Sequence, residues 1–189
     1  ASFMILVTGG AGFIGSHTCA ALAEQGLPYV VLDNFSNSKP SVLERLARIT
    51  GQRPQCIEGD VRDGALVERV LREHRITSVI HFAGLKAVGE SVREPLRYYD
   101  TNVSGTVTLL AAMRAVGVRT MVFSSSATVY GEEPVSPIRE DAVTAPMNPY
   151  GRTKLMSEQI MADLDRSEPR QWRLARLRYF NPVGAHASG

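Results

Sequence analysis

Apolar positions along the chain follow two alternating rhythms. Short aliphatic and β-branched runs, at Met4 to Val7, Tyr29 to Leu32, Gln55 to Glu58, Ser78 to Phe82 and Met121 to Phe123, read as strands. Between them, apolar residues recur at helical spacing. Ile14, Thr18, Ala21 and Leu22 share one side of the first such stretch, and Val42, Leu43, Leu46 and Ile49 share one side of the second, Lys39 to Thr50. A third starts at Asp63 and lines up Leu66, Val67, Val70 and Leu71, with Glu68, Arg69, Arg72 and Glu73 turned to water. Gly26 with Pro28, and Gly51 with Pro54, stand where the first two helices should stop. A longer helical region runs from Glu90 to Val116, with a bend expected at Pro95 and a stop at Gly117. A loop rich in Pro and acids, Gly131 to Asn148, then leads to a helix opening on Pro149, a residue suited to a first helical position. In the sixth strand, Leu174 to Tyr179, Arg176 and Arg178 alternate with Ala175, Leu177 and Tyr179, which predicts one less covered face. Strand and helix in strict alternation predict βαβ units. The expected fold is a single doubly wound α/β domain (Rossmann fold), with a parallel sheet in the order 3-2-1-4-5-6, helices on both faces and ligands at the carboxyl ends of the strands.

Composition narrows the possible functions without choosing one. At 189 residues, 44% hydrophobic and 21% charged, the chain is long enough for one sizeable core and close to the soluble globular average. A net charge of +2 gives no ground for nucleic acid or an anionic membrane as partner. Arg166, Arg170, Arg173, Arg176 and Arg178 do gather around Trp172, but they read as a solvated loop entering an edge strand. No apolar run approaches the ~18 residues of a membrane span, and Ala1 to Gly10 lacks the basic flank and long apolar segment of a secretory signal, so a cytoplasmic location is expected. Cys19 and Cys56 form no CxxC and read as small, reduced core residues; His17, His74, His81 and His186 are scattered, and no metal site is expected.

Candidate chemistry begins at the first strand, which runs into Thr8-Gly9-Gly10-Ala11-Gly12-Phe13-Ile14-Gly15. Gly10 to Gly15 satisfies GxGxxG between a strand and a helix. Its glycines permit a tight turn, close backbone approach to a pyrophosphate and close helix packing, while the helix N-terminus offers N–H groups to the anion. Asp33 ends strand two 18 residues after Gly15, near the spacing of about 20 expected for the acid that binds an adenine-ribose diol. A carboxylate there repels a 2′-phosphate and favours NAD over its phosphorylated form. Asp33 is equally suited to capping the loop Asn34 to Ser38, and the two roles are compatible. Asp60 after strand three can accept from the adenine amino group or begin a turn; the sequence does not separate these.

Tyr150 and Lys154 stand at i and i+4 of the predicted helix, so phenol and ammonium can face one site. A nearby Lys⁺ and a cationic nicotinamide both favour phenolate, which could take a hydroxyl proton while hydride leaves the same carbon. The hydroxyl-rich segment Ser124 to Tyr130 ends strand five, and such a hydroxyl could orient the reacting oxygen. The residues alone therefore reach NAD-dependent oxidation of a bound alcohol.

TGGAGFIG, Asp33, HFAGLKAVGES (His81 to Ser91), FSSSATVYG (Phe123 to Gly131), PYGRTK (Pro149 to Lys154) and RYFNPVGAH (Arg178 to His186) together closely resemble the UDP-glucose 4-epimerase family of extended short-chain dehydrogenases/reductases, over essentially the whole chain. The resemblance implies tightly held NAD and reversible inversion of UDP-glucose and UDP-galactose at sugar C4 through a 4-keto intermediate. It makes Tyr150 the base, has Lys154 lower the phenol pKa and bind the nicotinamide ribose, and has Ser126 bond the reacting oxygen. It places Gly9, Gly12, Phe13, Ile14 and Gly15 at the pyrophosphate, and Asp33, Asn34, Phe35, Ser36, Asn37 and Ser38 around the adenosine ribose. Asp60 and Val61 fall at adenine, and Phe82, Ala83, Gly84, Leu85 and Lys86 along the cofactor, with Lys86 also toward substrate. Phe180 lies near the nicotinamide and Asn181 on the substrate diphosphate side. Where the family commonly has two consecutive Asn residues, this chain has Thr101-Asn102, which puts the Thr101 cofactor contact in question.

The resemblance also implies a homodimer paired through helices at Glu90 to Val116 and Pro149 to Asp165. Nucleotide-sugar 4,6-dehydratases are the nearest rival, but they carry an Asp-Glu pair where this chain has Ala127-Thr128. A UDP-glucuronate decarboxylase is harder to exclude on these residues. A non-catalytic NAD-binding module would need only the glycine turn and Asp33, not Tyr150, Lys154 and Ser126 together. Because the sixth strand ends at Tyr179 and the chain at Gly189, residues 1 to 189 are expected to be the cofactor half of such an enzyme, without its smaller C-terminal substrate lobe and with little activity alone.

Overall fold

A computed structural model of the chain describes residues 3–132 and 135–188; residues 133 and 134 of the predicted loop, and the chain ends 1, 2 and 189, lie outside the described residues. Six strands, β1 (Ile5–Thr8), β2 (Tyr29–Asp33), β3 (Gln55–Glu58), β4 (Ser78–His81), β5 (Thr120–Ser126) and β6 (Arg173–Tyr179), form one parallel sheet in the order β3-β2-β1-β4-β5-β6. The helices are α1 (Phe13–Glu24), α2 (Ser41–Thr50), α3 (Gly64–Glu73), α4 (Val88–Arg93), α5 (Pro95–Tyr98), α6 (Gly105–Val116) and α7 (Pro149–Ser167).

The central strands β1 and β2 are apolar up to their last residues, Thr8 and Asp33, because both faces are covered. On β1, Leu6 joins a core with Val67, Val70, Leu109, Met113 and Met161, so α3, α6 and α7 cover that face. Ile5 and Val7 point the other way, into a core with Cys19, Ala20 and Leu46 from α1 and α2. At the edge, β6 pairs with β5 over seven residues, from Thr120 with Arg173 to Ser126 with Tyr179, yet stays largely exposed, as its alternation predicts.

Two elements differ from the pattern. Strand β5 is longer than the apolar run, because Ser124 to Ser126 continue the ladder; Ser125 Oγ donates to buried Glu158 and the Ser124 carbonyl accepts from buried Lys154, so polarity does not end the strand. The region Glu90 to Val116 is not one bent helix. It begins at Val88, breaks at Glu94 before Pro95, as a proline demands, and passes through a turn of π-helix at Tyr99–Ser104 before α6. That wide turn swings Asn102 into the interior. Gly51 and Gly117 end α2 and α6 in the left-handed conformation expected of terminal glycines. Among the described residues, no helix is long and apolar enough to cross a membrane.

Candidate active site

The sheet order reverses between β1 and β4, and the carboxyl ends of these strands and of β2 open onto one cleft. Gly9 and Gly12 line it, together with Asp33, Asn34, Ser36, Asn37 and Ser38 after β2, Asp60 and Val61 after β3, and Phe82, Ala83, Gly84, Leu85 and Lys86 after β4. Thr101, from the π-turn, lines it too. Leu32 and Gly59 complete the lining, although neither carries a side-chain signal in the sequence.

Tight contacts set the glycine turn. Gly9 has φ +69°, and a Cβ there would lie 2.6 Å from the Ala83 nitrogen. A Cβ on Gly15 would overlap the Gly9 carbonyl oxygen, so α1 can lie this close to the turn only with glycine there. Gly12 is the N-cap of α1, and no side chain caps that helix; Asp63 and Asn148 cap α3 and α7 by accepting from Leu66 and Gly151 nitrogens. An uncapped helix N-terminus without an acid in its first turn, set at a cleft, suits a phosphate anion. Of the residues assigned to the pyrophosphate, Phe13 points away: it is 52% exposed and edge-on to His17. Ile14 packs into the core beneath α1 and Gly15 is buried, which leaves backbone as what these two bring to the turn.

Asp33 performs the capping role the sequence allowed. Oδ1 accepts from the Phe35 nitrogen at 2.9 Å and from Ser38 Oγ at 3.1 Å, while Oδ2 accepts from the Ala11 nitrogen at 3.0 Å. One carboxylate thus ties the glycine turn to the following loop, in which Phe35 takes φ +54°; an acceptor position remains for a ligand hydroxyl. Asp60 is different. Its Oδ1 takes the nitrogen and Nε of Arg62, and its Oδ2 takes Arg62 Nη2 and Asn34 Nδ2, so all four acceptor positions are used. Hydrogen bonding by Arg62 holds its pKa down at about 2, and Arg62 also reaches Asp100 on the π-turn. This geometry is that of a turn, and an adenine amino group could reach the Asp60 carboxylate only by displacing one of these donors.

Tyr150 and Lys154 share the face of α7 that meets the end of β5. Ser91 Oγ donates to the Val88 carbonyl at 2.6 Å and accepts the Tyr150 N–H at 3.2 Å, so α4 partners a first-turn donor of α7. Gly151 presses the same helix onto the turn after β5, where a Cβ would lie 2.9 Å from the Thr128 carbonyl. Ser126 Oγ accepts from the Thr128 nitrogen at 3.2 Å and from Thr128 Oγ1 at 2.8 Å, which leaves its own proton to donate toward Tyr150. Lys154 Nζ donates to the Ser124 carbonyl at 2.8 Å and lies 5.0 Å from the centre of the Phe123 ring. A Cβ on Gly84, a residue of the cleft, would lie 4.0 Å from that Nζ, so the buried lysine stands directly behind the cleft wall. Phe180 and Asn181 are exposed beyond β6, Phe180 beside a different cavity, and the structure does not bring them into the cleft.

The electrostatics depart from the simple expectation that Lys154 lowers the phenol pKa. Burial raises Tyr150, and Ser126 opposes this only in part. Lys154 is itself pulled down to about 7, first by burial and then by the charge of Lys86, so the protein alone prepares a dry, weakly cationic pocket. Lys86 is likewise lowered by burial, with Asp33 pulling it back up. Because Lys154 binds a proton in the unfolded chain up to about 10.5 but in the folded chain only to about 7, stability rises with pH across that window. Replacing Lys154 with Met should therefore stabilise the chain at pH 7 by about 2 kcal/mol, after allowing for the Ser124 carbonyl left without its donor. Urea melts of both proteins should show this difference shrinking as the pH approaches 9.

Below the dyad lies an ion pair that motif reading missed. Glu158, at i+8 from Tyr150, accepts from Ser125 Oγ at 2.5 Å and takes Arg178 Nε and Nη2 at 3.0 and 2.7 Å, while Arg178 reaches Tyr130 Oη and the Glu140 carbonyl. It joins β5, β6, α7 and the loop before α7. Its one trace in the sequence is a Glu at the same helical spacing as the dyad.

A model of the family described as NAD dependent epimerase/dehydratase matches residues 5–189. The chain belongs to this family. Among its members, proteins named UDP-glucose 4-epimerase from Yersinia pestis and Bacillus subtilis are each 56% identical, over 98% of this chain and 55% and 54% of their own lengths. The chain thus spans about 55% of these relatives. Two solved structures superpose closely, each over 98% of this chain and 55% of the other, with 52% identity: the Stenotrophomonas maltophila UDP-glucose-4-epimerase with bound NAD and formylated UDP-arabinopyranose, at a TM-score of 0.95, and the Bifidobacterium longum UDP-glucose 4-epimerase with NAD+ and UDP, at 0.94.

Proposed function

We propose that residues 1 to 189 hold NAD and carry the proton-transfer residues of an enzyme that interconverts UDP-glucose and UDP-galactose at sugar C4. The observation that carries this reading is the continuity of one cleft from the Asp33 loop, past the uncapped helix at Gly12, to Gly84 and Lys86, with buried Lys154 standing directly behind Gly84. Such a cleft matches a dinucleotide in its parts: a carboxylate for a ribose diol, backbone N–H groups for a pyrophosphate, and a far end at Gly84, behind which stands the lysine that shares a helix face with Tyr150. The relatives' names and the bound NAD and UDP compounds of the solved neighbours support the same assignment.

The chemistry that bound NAD supplies is reversible uptake of hydride from the alcohol carbon. Tyr150 takes the C4 hydroxyl proton and returns it after the face of the sugar has changed. Ser126, its lone pairs engaged by Thr128, donates to the reacting oxygen and holds it toward Tyr150. Since burial raises the Tyr150 pKa and pulls Lys154 toward neutrality, the positive charge that a nicotinamide would bring is what makes the phenolate accessible. Ala127 and Thr128 offer no carboxylate for elimination, and Thr128 is committed to Ser126, which favours epimerisation over dehydration. Two free thiols, Cys19 and Cys56, accord with a reducing, cytoplasmic setting.

The test is binding of NAD by the chain itself. Titration calorimetry should detect one site per chain with clear preference over the 2′-phosphorylated form; no binding, or equal affinity for both, overturns the cofactor assignment. We further propose a homodimer. Val92, Leu96, Val107 and Met156 are exposed on α4, α5, α6 and α7, and Val107, Leu110, Ile160 and Leu164 line a groove between α6 and α7. Light scattering at high concentration should give twice the chain mass, and a monomer would contradict the pairing.

A further inference from the structure

At the switch point between β1 and β4, His81 is 2% exposed and lies between two threonines. Its Nδ1 is 2.6 Å from Thr8 Oγ1 and its Nε2 is 3.3 Å from Thr106 Oγ1. The protons can be placed from the partners. Thr106 Oγ1 lies 2.7 Å from the Asn102 carbonyl, which can only accept, so the Thr106 proton is directed there and its oxygen accepts from His81 Nε2–H. Nδ1 then carries no proton and accepts from the Thr8 hydroxyl, whose oxygen takes the Ala83 N–H at 3.3 Å. The result is one chain with a single polarity, running from the Ala83 N–H through Thr8, His81 and Thr106 to the Asn102 carbonyl. Burial and the charge of Lys154 keep the ring neutral, as this arrangement requires.

Both ends of the chain act on the site. Ala83 lines the cleft, and Thr8 leads into the glycine turn. Asn102, held by its backbone carbonyl, accepts from the Leu85 nitrogen at 2.8 Å and donates Nδ2 to the Leu85 carbonyl at 3.0 Å and to Thr153 Oγ1 at 3.1 Å. Thr153 lies between the dyad residues on α7 and donates to the Tyr150 carbonyl at 2.7 Å. A hydrocarbon ring would fill the space but leave the Thr8 proton without its acceptor and the Thr106 oxygen without its donor.

We infer that His81 is a positioning residue, a two-armed strut whose Thr8 arm sets the cofactor wall and whose Thr106 arm sets, through Asn102, the helix that carries Tyr150 and Lys154. This rests on reading the cleft as a dinucleotide site, and its test separates the two ideas by splitting the arms. In His81→Asn, a side-chain oxygen stands near the place of Nδ1 and keeps the Thr8 arm; in His81→Gln, an amide N–H reaches the place of Nε2 and keeps the Thr106 arm. Two readouts are taken on the chain: NAD affinity by calorimetry, and titration of Tyr150 by ultraviolet difference spectroscopy against Tyr150→Phe.

His81→Asn should bind NAD nearly as the unchanged chain does but shift the Tyr150 titration. His81→Gln should keep the titration and weaken NAD binding by about tenfold. Thr106→Val, which cuts the second arm from α6, should repeat the His81→Asn result and keeps the test open if a His81 variant fails to fold. Parallel changes in both readouts in every variant, or change in neither, would overturn the strut. If the unchanged chain does not bind NAD, the cofactor reading fails by itself. The strut is then decided by the tyrosine titration, which must move in His81→Asn and Thr106→Val and stay in place in His81→Gln.

Discussion

Under the proposed function, Tyr150→Phe, measured in a preparation that contains residues 1 to 189 and converts UDP-galactose, is expected to slow that conversion roughly 10³-fold while NAD stays bound. The substitution removes one oxygen and keeps the ring, so packing against the end of β5 and the Ser91 bond to the Tyr150 nitrogen persist. The residues that line the proposed dinucleotide cleft lie elsewhere, at Gly9, Gly12, Asp33 and the segment Phe82 to Lys86. What disappears is the proton acceptor. Ser126 cannot replace it, because an ordinary hydroxyl at neutral pH donates and does not hold a proton taken from another alcohol. The measurement is a single-turnover rate at saturating sugar nucleotide, with bound NAD quantified in the same sample. A variant within about threefold of the unchanged rate would remove Tyr150 as the base and revive the reading of a binding module with an incidental tyrosine.

Gly15→Ala should abolish NAD binding and lower stability by about 3 kcal/mol, although alanine is the better helix former by about 1 kcal/mol. The added Cβ falls on the Gly9 carbonyl and 2.9 Å from Gly10 Cα. Neither neighbour can yield easily, because the Gly12 nitrogen donates to that carbonyl at 3.1 Å and the Gly9 nitrogen donates to the Leu32 carbonyl at 2.8 Å. The helix must then move away from the turn, and the N–H groups at its start move with it. Calorimetry with NAD and urea unfolding would measure the two losses. As a control, Gly89→Ala on α4 meets only the distant tip of Arg93 and should be neutral or slightly stabilising. Equal behaviour of the two variants would show that close helix approach is not what Gly15 provides.

The legible parts of the fold are those decided by neighbours in sequence. Strands buried on both faces are apolar up to their carboxyl ends, and helices are apolar on one side, so Ile5–Thr8, Tyr29–Asp33 and Gly64–Glu73 announce themselves. Asp63 and Pro149 mark helix starts for equally local reasons. Strand β5 was only half legible: its apolar run stops at Phe123, and the three serines extend the ladder because Leu177, Arg178 and Tyr179 pair with them and Glu158 accepts from Ser125. The π-turn was not legible at all, since its purpose is a contact between Asn102 and Leu85, far from it along the chain.

The candidate site divides in the same way. By itself the sequence determined the Rossmann order, the glycine turn, the acid at the end of β2 and the Tyr150–Lys154 pairing, because each depends on spacing within one element or between consecutive ones. Only the tertiary structure decided what those groups are free to do. Asp60 was eligible for adenine until Arg62 and Asn34 filled its acceptor positions, and Lys154 was expected to lower Tyr150 until burial raised the phenol and pulled the lysine toward neutrality. His81 looked like a scattered core histidine until Thr8 and Thr106 closed on its two nitrogens. The physical reason is common to all three. Hydrogen-bond satisfaction and desolvation depend on which distant residues surround a group, and no local pattern carries that information.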